Sequence, residues 1–242
     1  MNINLDNKLI NSCTCGNTDN FTNDIINNIN ILKCNICEVI HQDLKDFNEE
    51  KYYDFYKTTY HIEYQENRGT MTYEERYEHD RKISKLRFDQ YKDYIYPPMV
   101  GLDIGSSNSA FVHEGNSLGF SCLGLEPGQN IGDDHVTIRG TLSNVYFNDN
   151  HFDFITMHDS IEHMINVNIA LTKVYNILKP GGMLLVDLPD YFDPAGQHHW
   201  KYIEHLWFFD KDQFKLILEN AGFKIRDIKI PIPGKLVFYA KK

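Results

Sequence analysis

The 242-residue sequence lacks a long hydrophobic run, a leader-like N-terminus and an excess of positive charge. No apolar stretch approaches the roughly 18 residues that a membrane-spanning helix needs, so we expect no membrane partner. The first ten residues contain no basic segment followed by an apolar one, so we expect no secretion signal and a cytoplasmic location. With 24 Lys and Arg against 34 Asp and Glu, the net charge of -10 repels phosphate backbones and argues against nucleic acid as a partner.

The sequence does contain enough apolar material for a folded core. Apolar residues make up 42% of the chain and aromatic residues 13%, which excludes the disordered and fibrous classes. Composition divides the chain into three zones. We expect a zinc-binding module at 1–40, a helical lid or linker at 41–98 and an α/β domain at 99–242, with Pro97-Pro98 at the second junction.

Four of the five cysteines form two pairs near the N-terminus, Cys13 with Cys15 and Cys34 with Cys37. A C-x-C pair followed 18 residues later by a C-x-x-C pair can supply four thiolates to a tetrahedral zinc ion. Such a closed site leaves no position for a substrate, so this zinc would be structural. A redox pair or free thiols are the alternatives. Cys122, in an apolar stretch, is expected to be a buried core residue.

The middle zone is rich in tyrosine and charged residues, with apolar side chains at helical spacing. Thr72 and Glu75 match the capping-box pattern of a helix start. Tyr53, Tyr56 and Tyr60 offer flat apolar rings with hydroxyls, which suits a lid that closes over a ligand. The alternative is that these helices simply pack on the domain that follows.

From residue 99 onward, apolar segments of strand length alternate with helical patterns. Strands are predicted at 99–105, 121–127, 136–142, 152–159, 182–190, 224–231 and 235–242, and helices at 107–119, 161–178 and 211–223. Nearly continuous apolar strands that alternate with helices predict a doubly wound, mostly parallel sheet. A ligand is then expected at the carboxyl ends of the strands.

Two strand ends carry groups that suit a nucleoside ligand. The segment GLDIGSS places Asp103 and Gly105 after an apolar strand and before a helix, whose N-terminus offers free N–H groups. It lacks the glycines of the G-x-G-x-x-G fingerprint, which argues against a dehydrogenase. In GLEP, Glu126 ends the next strand, 23 residues after Asp103. A carboxylate at that point can accept hydrogen bonds from two ribose hydroxyls.

Together with FDFITMHDSIEHM at 152–164 and LKPGG at 178–182, these segments resemble the class I S-adenosylmethionine-dependent methyltransferases. The resemblance covers about 99–228 and implies a Rossmann-like fold. Ser107 and Ser109 stand where that family has the two later glycines of its first motif.

The resemblance implies a set of residues for the cofactor S-adenosyl-L-methionine. These are Asp103, Gly105, Ser106, Ser107, Glu126, Pro127, Gly140, Thr141, Leu142, His158, Asp159 and Ser160. Glu126 would hold the ribose, 140–142 would flank the adenine, and 158–160 would lie where the cofactor meets the substrate. His163, on the next helical turn, is either a catalytic or a packing histidine.

A crowded polar segment, HHWKYIEHLWFF, begins at residue 198. Its Tyr202, Glu204 and His205 match the Y-x-E-H-L-x-x-F element of the nucleotide-sugar C-methyltransferases, which the chain resembles here. In that family the Tyr and His serve acid–base roles at the sugar ring, and a four-cysteine zinc module precedes the methyltransferase core. The resemblance implies that His205 would be the base, that Glu204 would orient it and that Tyr202 would donate to a sugar oxygen.

The sequence therefore predicts methyl transfer from S-adenosylmethionine to a nucleotide-linked sugar, at carbon or at oxygen. The first alternative is a methyltransferase for a quinone, lipid or other small metabolite, which the same cofactor motifs would serve. The second is a non-catalytic docking protein that uses the zinc module, with a degenerate methyltransferase fold as scaffold. A homodimer is a possible assembly.

Overall fold

A computed structural model describes residues 12–45, 48–58, 71–128 and 135–242. Tyr60 of the predicted lid and residues 1–11 of the predicted zinc module lie outside the described residues. The described residues fall into two compact units. The first unit comprises 12–45, 159–175 and 185–241, and the second comprises 48–58, 71–128, 135–158, 176–184 and Lys242.

The structure describes eleven strands and five α-helices. The strands are β1 Phe21–Ile26, β2 Ile29–Cys34, β3 Ile40–Gln42, β4 Val100–Ile104, β5 Ser121–Glu126, β6 Thr137–Arg139, β7 Phe152–His158, β8 Leu178–Pro189, β9 Trp207–Phe208, β10 Lys224–Lys229 and β11 Lys235–Lys241. The helices are α1 Glu49–Thr58, α2 Tyr73–Tyr91, α3 Ala110–Ser117, α4 Val167–Ile177 and α5 Lys211–Asn220, with 3-10 turns at Ile161–His163 and Pro194–His199. Among the described helices, none combines the length and the apolar character that crossing a membrane requires.

The main sheet has seven strands in the order β10-β11-β8-β7-β4-β5-β6. Strand β4 pairs in parallel with β5 and β7, and β5 pairs in parallel with β6, whereas β10 and β11 are antiparallel. Most residues of β7 and β8 are buried, as expected for apolar strands in the interior of such a sheet. The predicted α/β class with a mainly parallel sheet is confirmed. Since β4 has β5 on one side and β7 on the other, its carboxyl end is the point where a ligand is expected.

A second, antiparallel sheet lies in the first unit, with the order β1-β2-β3-β9. Its apolar cluster contains Ile29, Ile31, Ile40, Tyr191 and Phe208. Strand β9, from the region after residue 200, pairs with β3 through Phe208 opposite Ile40. The predicted boundary at residue 40 falls on the first residue of β3. The three-domain division stays a prediction.

The predicted capping box is confirmed, and a second helix is followed by a glycine with positive φ. At the start of α2, Glu75 N donates to Thr72 Oγ1 at 3.2 Å and Thr72 N donates to Glu75 Oε2 at 2.8 Å, which is a complete capping box. Past the end of α5, Gly222 has a φ of +96°, which suits a glycine because it has no side chain to clash.

The helix predicted at 161–178 is wrong in its first third. The structure has a 3-10 turn at Ile161–His163 and begins α4 only at Val167. The physical reason is competition for backbone carbonyls: Leu206 N donates to Glu162 O at 2.9 Å, and Trp207 Nε1 donates to Met164 O at 2.8 Å. These carbonyls therefore do not accept the i→i+4 hydrogen bonds of a regular helix.

Candidate functional site

The loop after β4 is shaped by backbone conformations that favour small residues. Gly105 has a φ of +79°, and Ser107 and Ser109 have φ values of +49° and +62°. Gly105 N donates to Leu125 O at 2.8 Å, which ties the loop to β5. Ser109 precedes α3, so the loop delivers the chain to a helix N-terminus.

Glu126 faces this loop. Its Oε2 accepts from Ser107 N at 2.8 Å, and its Oε1 accepts from Gly128 N at 2.7 Å. The side chain is buried, and burial raises its pKa against the effect of the two amide donors. Each carboxylate oxygen has a second lone pair, so ribose hydroxyls can still donate to it.

Ser106 has a buried hydroxyl oxygen, and buried polar atoms are normally hydrogen-bonded. Its Oγ has no hydrogen-bond partner among the described residues. A Cβ on Gly124 would lie 2.5 Å from this oxygen, so the glycine keeps the space around it open. A buried hydroxyl without a partner among the described residues fits a polar group of a ligand, and Ser106 is one of the residues that the resemblance implies for S-adenosylmethionine.

Asp103 is held in a buried hydrogen-bond chain. Thr156 Oγ1 donates to Asp103 Oδ1 at 2.7 Å, and His158 Nδ1 lies 3.2 Å from the same oxygen. The Tyr91 hydroxyl lies 3.1 Å from His158 Nε2. The structure thus brings His158 onto Asp103 within the second unit. Sequence reasoning missed Tyr91, since nothing local marks the last residue of a long helix as a partner of β7.

A pocket of about 390 Å³ in the second unit includes three of the residues predicted to bind the cofactor. Pro127, Gly140 and Thr141 line it together with Tyr53 and Arg139. Leu142, also predicted at the adenine, is buried. The pocket therefore joins the predicted adenine segment to one tyrosine of the predicted lid.

Asp159 and Ser160 belong to the first unit. Asp159 has a φ of +47°, and its carboxylate is ion-paired with Lys235 Nζ. Lys235 Nζ also lies 3.0 Å from Asp187 Oδ1. Burial disfavours the charge of Lys235, but the two carboxylates raise its pKa, so it remains a cation. Ser160 is buried, and its carbonyl accepts from His163 N at 3.2 Å.

His205 is buried between two polar groups. The Tyr191 hydroxyl lies 2.7 Å from Nδ1, and Glu204 Oε1 lies 3.7 Å from Nε2. Burial lowers the pKa of His205, so the imidazole is neutral and keeps a lone pair. Burial opposes the charge of Glu204, but the nearby His205 ring and a hydrogen bond from Lys201 Nζ at 2.9 Å lower the pKa of Glu204 to about 2.

Tyr202 does not share this environment, because its side chain is 69% exposed. The hydroxyl that meets His205 is that of Tyr191, which sequence reasoning missed. A tyrosine two residues after the apolar strand β8 is the signal that could have indicated it.

Glu162 and His163 lie in the 3-10 turn that follows Ser160. Glu162 Oε1 and His163 Nε2 are 3.9 Å apart. The His163 and His205 rings meet edge to face with centroids 4.7 Å apart. We call Glu162, His163 and His205 the Glu-His-His cluster.

The four N-terminal cysteines come together as predicted from their spacing. Cys13 Sγ lies 3.3 Å from Cys37 Sγ, and Cys15 Sγ lies 3.6 Å from Cys34 Sγ. A tetrahedral zinc with Zn–S bonds of ~2.3 Å holds its sulfurs ~3.8 Å apart, close to these separations. Burial raises the pKa of the Cys34 thiol, but backbone and side-chain amide donors lower it to about 6. Burial raises the pKa of Cys13 and raises that of Cys37 to about 11, so the amide donors favour the thiolate at Cys34 alone of these three. We call these residues the cysteine cluster.

Comparisons with known proteins agree with this architecture. A family model described as a methyltransferase domain matches residues 72–228, more than half of the chain. The chain therefore belongs to this family of methyltransferase domains.

Two curated relatives carry more particular names. A demethylmenaquinone methyltransferase of Staphylococcus haemolyticus is 26% identical over 149 residues, which are 50% of this chain and 62% of that protein. A ubiquinone/menaquinone biosynthesis C-methyltransferase of Hydrogenovibrio crunogenus is 33% identical over 66 residues, which are 23% of this chain and 26% of that protein. The chain thus spans less than two thirds of the length of either relative.

Solved structures share the fold at low sequence identity. An S-adenosylmethionine-dependent methyltransferase from Archaeoglobus fulgidus has a TM-score of 0.59 at 17% identity, over 76% of this chain and 100% of its own. The [4+2]-cyclase SpnF has a TM-score of 0.55 at 16% identity, over 67% of this chain and 80% of its own. The predicted Rossmann-like methyltransferase fold is confirmed. Since a cyclase shares it, the reaction must be argued from the site.

Proposed function

We propose that this protein transfers a methyl group from S-adenosylmethionine to a small, oxygen-rich acceptor, a nucleotide-linked sugar. The observation that carries the proposal is the buried contact of His205 with the Tyr191 hydroxyl, beside the half-buried Glu204. Glu204 and His205 belong to the Y-x-E-H element that resembles the sugar enzymes. A sugar presents hydroxyls and carbonyls, and such groups need polar partners when they are taken out of water.

The cofactor side of the proposal is supported by two polar groups in the second unit. The Ser106 hydroxyl is buried without a partner among the described residues, and the Glu126 carboxylate is held toward the same loop by Ser107 N. Bound there, S-adenosylmethionine supplies an electrophilic methyl group on a positively charged sulfur. Asp103 and Glu126 place two carboxyl groups near the carboxyl ends of β4 and β5, and carboxylates favour a cationic ligand.

The acceptor side is assigned to residues of the first unit. His205 is neutral, so its lone pair can accept a proton from the acceptor or bind a cation. Glu204 stays ionised beside it and orients the ring. The acid–base role proposed for Tyr202 requires its exposed side chain to turn inward on binding, whereas Tyr191 already contacts His205. The catalytic role of His163 stays a proposal.

A quinone acceptor is the second candidate, because two curated relatives are named quinone-pathway methyltransferases. A quinone ring is flat and apolar, so its recognition would rest on aromatic side chains. We favour the sugar, since His205 and Glu204 make the environment polar and charged.

We further propose that the cysteine cluster holds a structural zinc ion. Four thiolates fill a tetrahedral shell, so this zinc stabilises the fold and takes no part in the reaction. The three-domain division, a cytoplasmic location and a homodimeric assembly also remain proposals, as does the absence of nucleic-acid and membrane partners.

The test separates acceptor classes with one protein preparation. Calorimetry first measures binding of S-adenosylmethionine, because a degenerate scaffold should show none. A panel of nucleotide-linked keto and hydroxy sugars and a demethylated menaquinone analogue is then screened for thermal stabilisation and for methylated product by mass spectrometry. Product from a nucleotide sugar supports the proposal, whereas product from the quinone alone overturns it.

A further inference from the structure

Glu162 is a fully buried acid in the 3-10 turn of the first unit. Its side chain has no exposed surface, and neither carboxylate oxygen has a hydrogen-bond partner among the described residues. Buried carboxylates in proteins are normally paired, hydrogen-bonded or bound to an ion, and an exception calls for an explanation. The structure therefore contains a carboxylate whose environment is incomplete.

The groups around Glu162 are metal-ligand types. One potential ligand atom from each of Glu162, His163 and His205 lies within 4.8 Å of the others. A tetrahedral ion with ligands at ~2.1 Å needs them ~3.4 Å apart, so loading requires a modest contraction of the cluster. Two imidazoles and one carboxylate form an N/O set that suits zinc and related first-row ions better than magnesium, which prefers oxygen alone.

Both imidazoles are oriented by polar neighbours. The Tyr191 hydroxyl bonds Nδ1 of His205, and the backbone carbonyl of Glu204 accepts from the His163 ring. Histidines that bind metals typically have one ring nitrogen engaged in this way, which leaves the other to the ion.

The local charge favours a cation. Asp159 and Glu204 act electrostatically on the cluster in addition to Glu162 itself. Two lysines also act on the cluster, and both are paired with carboxylates: Lys235 with Asp159 and Asp187, and Lys201 with Glu204 at 2.9 Å.

We propose that Glu162, His163 and His205 bind one divalent transition-metal ion, zinc by ligand set. Three protein ligands leave a coordination position open, unlike the four thiolates of the cysteine cluster. Resting on the proposed function, we assign that open position to an oxygen of the acceptor. His205 then acts as a ligand, and its lone pair is not available as the proton acceptor.

The test counts metal ions in the absence of any substrate. Protein stripped of metal is reloaded with excess Zn²⁺, desalted and measured by elemental mass spectrometry. We expect about two zinc ions per wild-type chain and about one in Glu162→Gln and in His163→Asn. His198→Asn, which changes an exposed histidine of the neighbouring segment, should keep both ions. One ion in the wild type, or an unchanged count in both cluster variants, overturns the proposal.

A second measurement needs no variant and so does not depend on variants folding. Wild-type protein with one equivalent of Zn²⁺ on the cysteine cluster is titrated with Co²⁺. A second ion bound by nitrogen and oxygen should show cobalt d–d absorbance without a thiolate charge-transfer band. No saturable Co²⁺ binding defeats the proposal. Failure of the sugar assay would leave these metal counts untouched, so the two proposals can fail separately.

Discussion

The cysteine cluster and the Glu-His-His cluster both lie in the first unit and gather metal-ligand groups in opposite ways. The cysteine cluster takes four sulfurs from two short segments, and its Cys34 sulfur is further hydrogen-bonded by Asn17 Nδ2 at 3.2 Å. The Glu-His-His cluster takes two neighbours in a 3-10 turn and a third residue from far along the chain. Its carboxylate has no hydrogen bond among the described residues.

The difference separates two uses of a metal. Four thiolates complete a coordination shell, so the ion can only hold the chain together. Two imidazoles and one carboxylate leave the shell incomplete, so an ion there can also bind a ligand from outside. Removing the first ion should therefore act on stability, and removing the second should act on ligand binding.

The largest effect on stability is expected from removing one ligand of the cysteine cluster. Cys34→Ser should remove one zinc ion and lower the thermal midpoint by at least about 10 °C, because structural zinc contributes on the order of 10 kcal/mol in small zinc domains. Differential scanning fluorimetry and metal counting check this. Cys122→Ala, a buried cysteine outside the cluster, should keep its zinc. A Cys34→Ser protein with full zinc content would contradict the assignment.

Glu126→Ala tests whether cofactor binding is separate from both clusters. The change leaves Ser107 N and Gly128 N without their acceptor and removes the group proposed for the ribose. We expect S-adenosylmethionine to bind about 100-fold more weakly, a loss of about 2–3 kcal/mol. Calorimetry measures the affinity, and the surface variant Glu219→Ala is the control. Both variants should retain both zinc ions. Unchanged affinity would remove Glu126 from the cofactor site.

A smaller effect, on zinc affinity, is expected from removing the Tyr191 hydroxyl, which orients His205 of the Glu-His-His cluster. Tyr191→Phe deletes the hydroxyl bonded to His205 Nδ1 and should weaken the second zinc by about 10-fold. Competition with a zinc-binding dye measures the affinity, and the first zinc should be unaffected. Tyr202→Phe is the matched control, because that side chain is 69% exposed. Equal affinities in wild type and Tyr191→Phe would argue that the hydroxyl has no orienting role.

The smallest effect distinguishes a binding role of Glu162 from a packing role. With only one equivalent of zinc, which the cysteines take first, Glu162→Gln should leave urea stability unchanged or raise it by about 1 kcal/mol. The reason is that the amide removes a buried ionisable group of nearly the same shape. Urea unfolding followed by fluorescence measures the difference. A loss of more than about 1 kcal/mol would show that the carboxylate stabilises the metal-free fold.

Sequence reasoning located the strands of the main sheet because their apolar runs are local, but it predicted none of β1, β2, β3 and β9. The strand predicted at 152–159 is observed as Phe152–His158, and the one at 121–127 as Ser121–Glu126. The helix predicted from residue 161 was wrong, since Leu206 and Trp207 take backbone carbonyls of that segment from far along the chain. No sequence pattern within that segment indicates hydrogen bonds to residues so far along the chain.

The amino-acid sequence by itself determined the α/β class, the cysteine cluster and the position of Glu126 at the end of β5. Each depends on spacing or alternation within a short segment. Only the tertiary structure decided that Tyr191, and not Tyr202, meets His205, and that His205 joins Glu162 and His163. These contacts join segments separated by tens of residues, and the burial that changes the pKa of an acid or an imidazole exists only once those segments have packed.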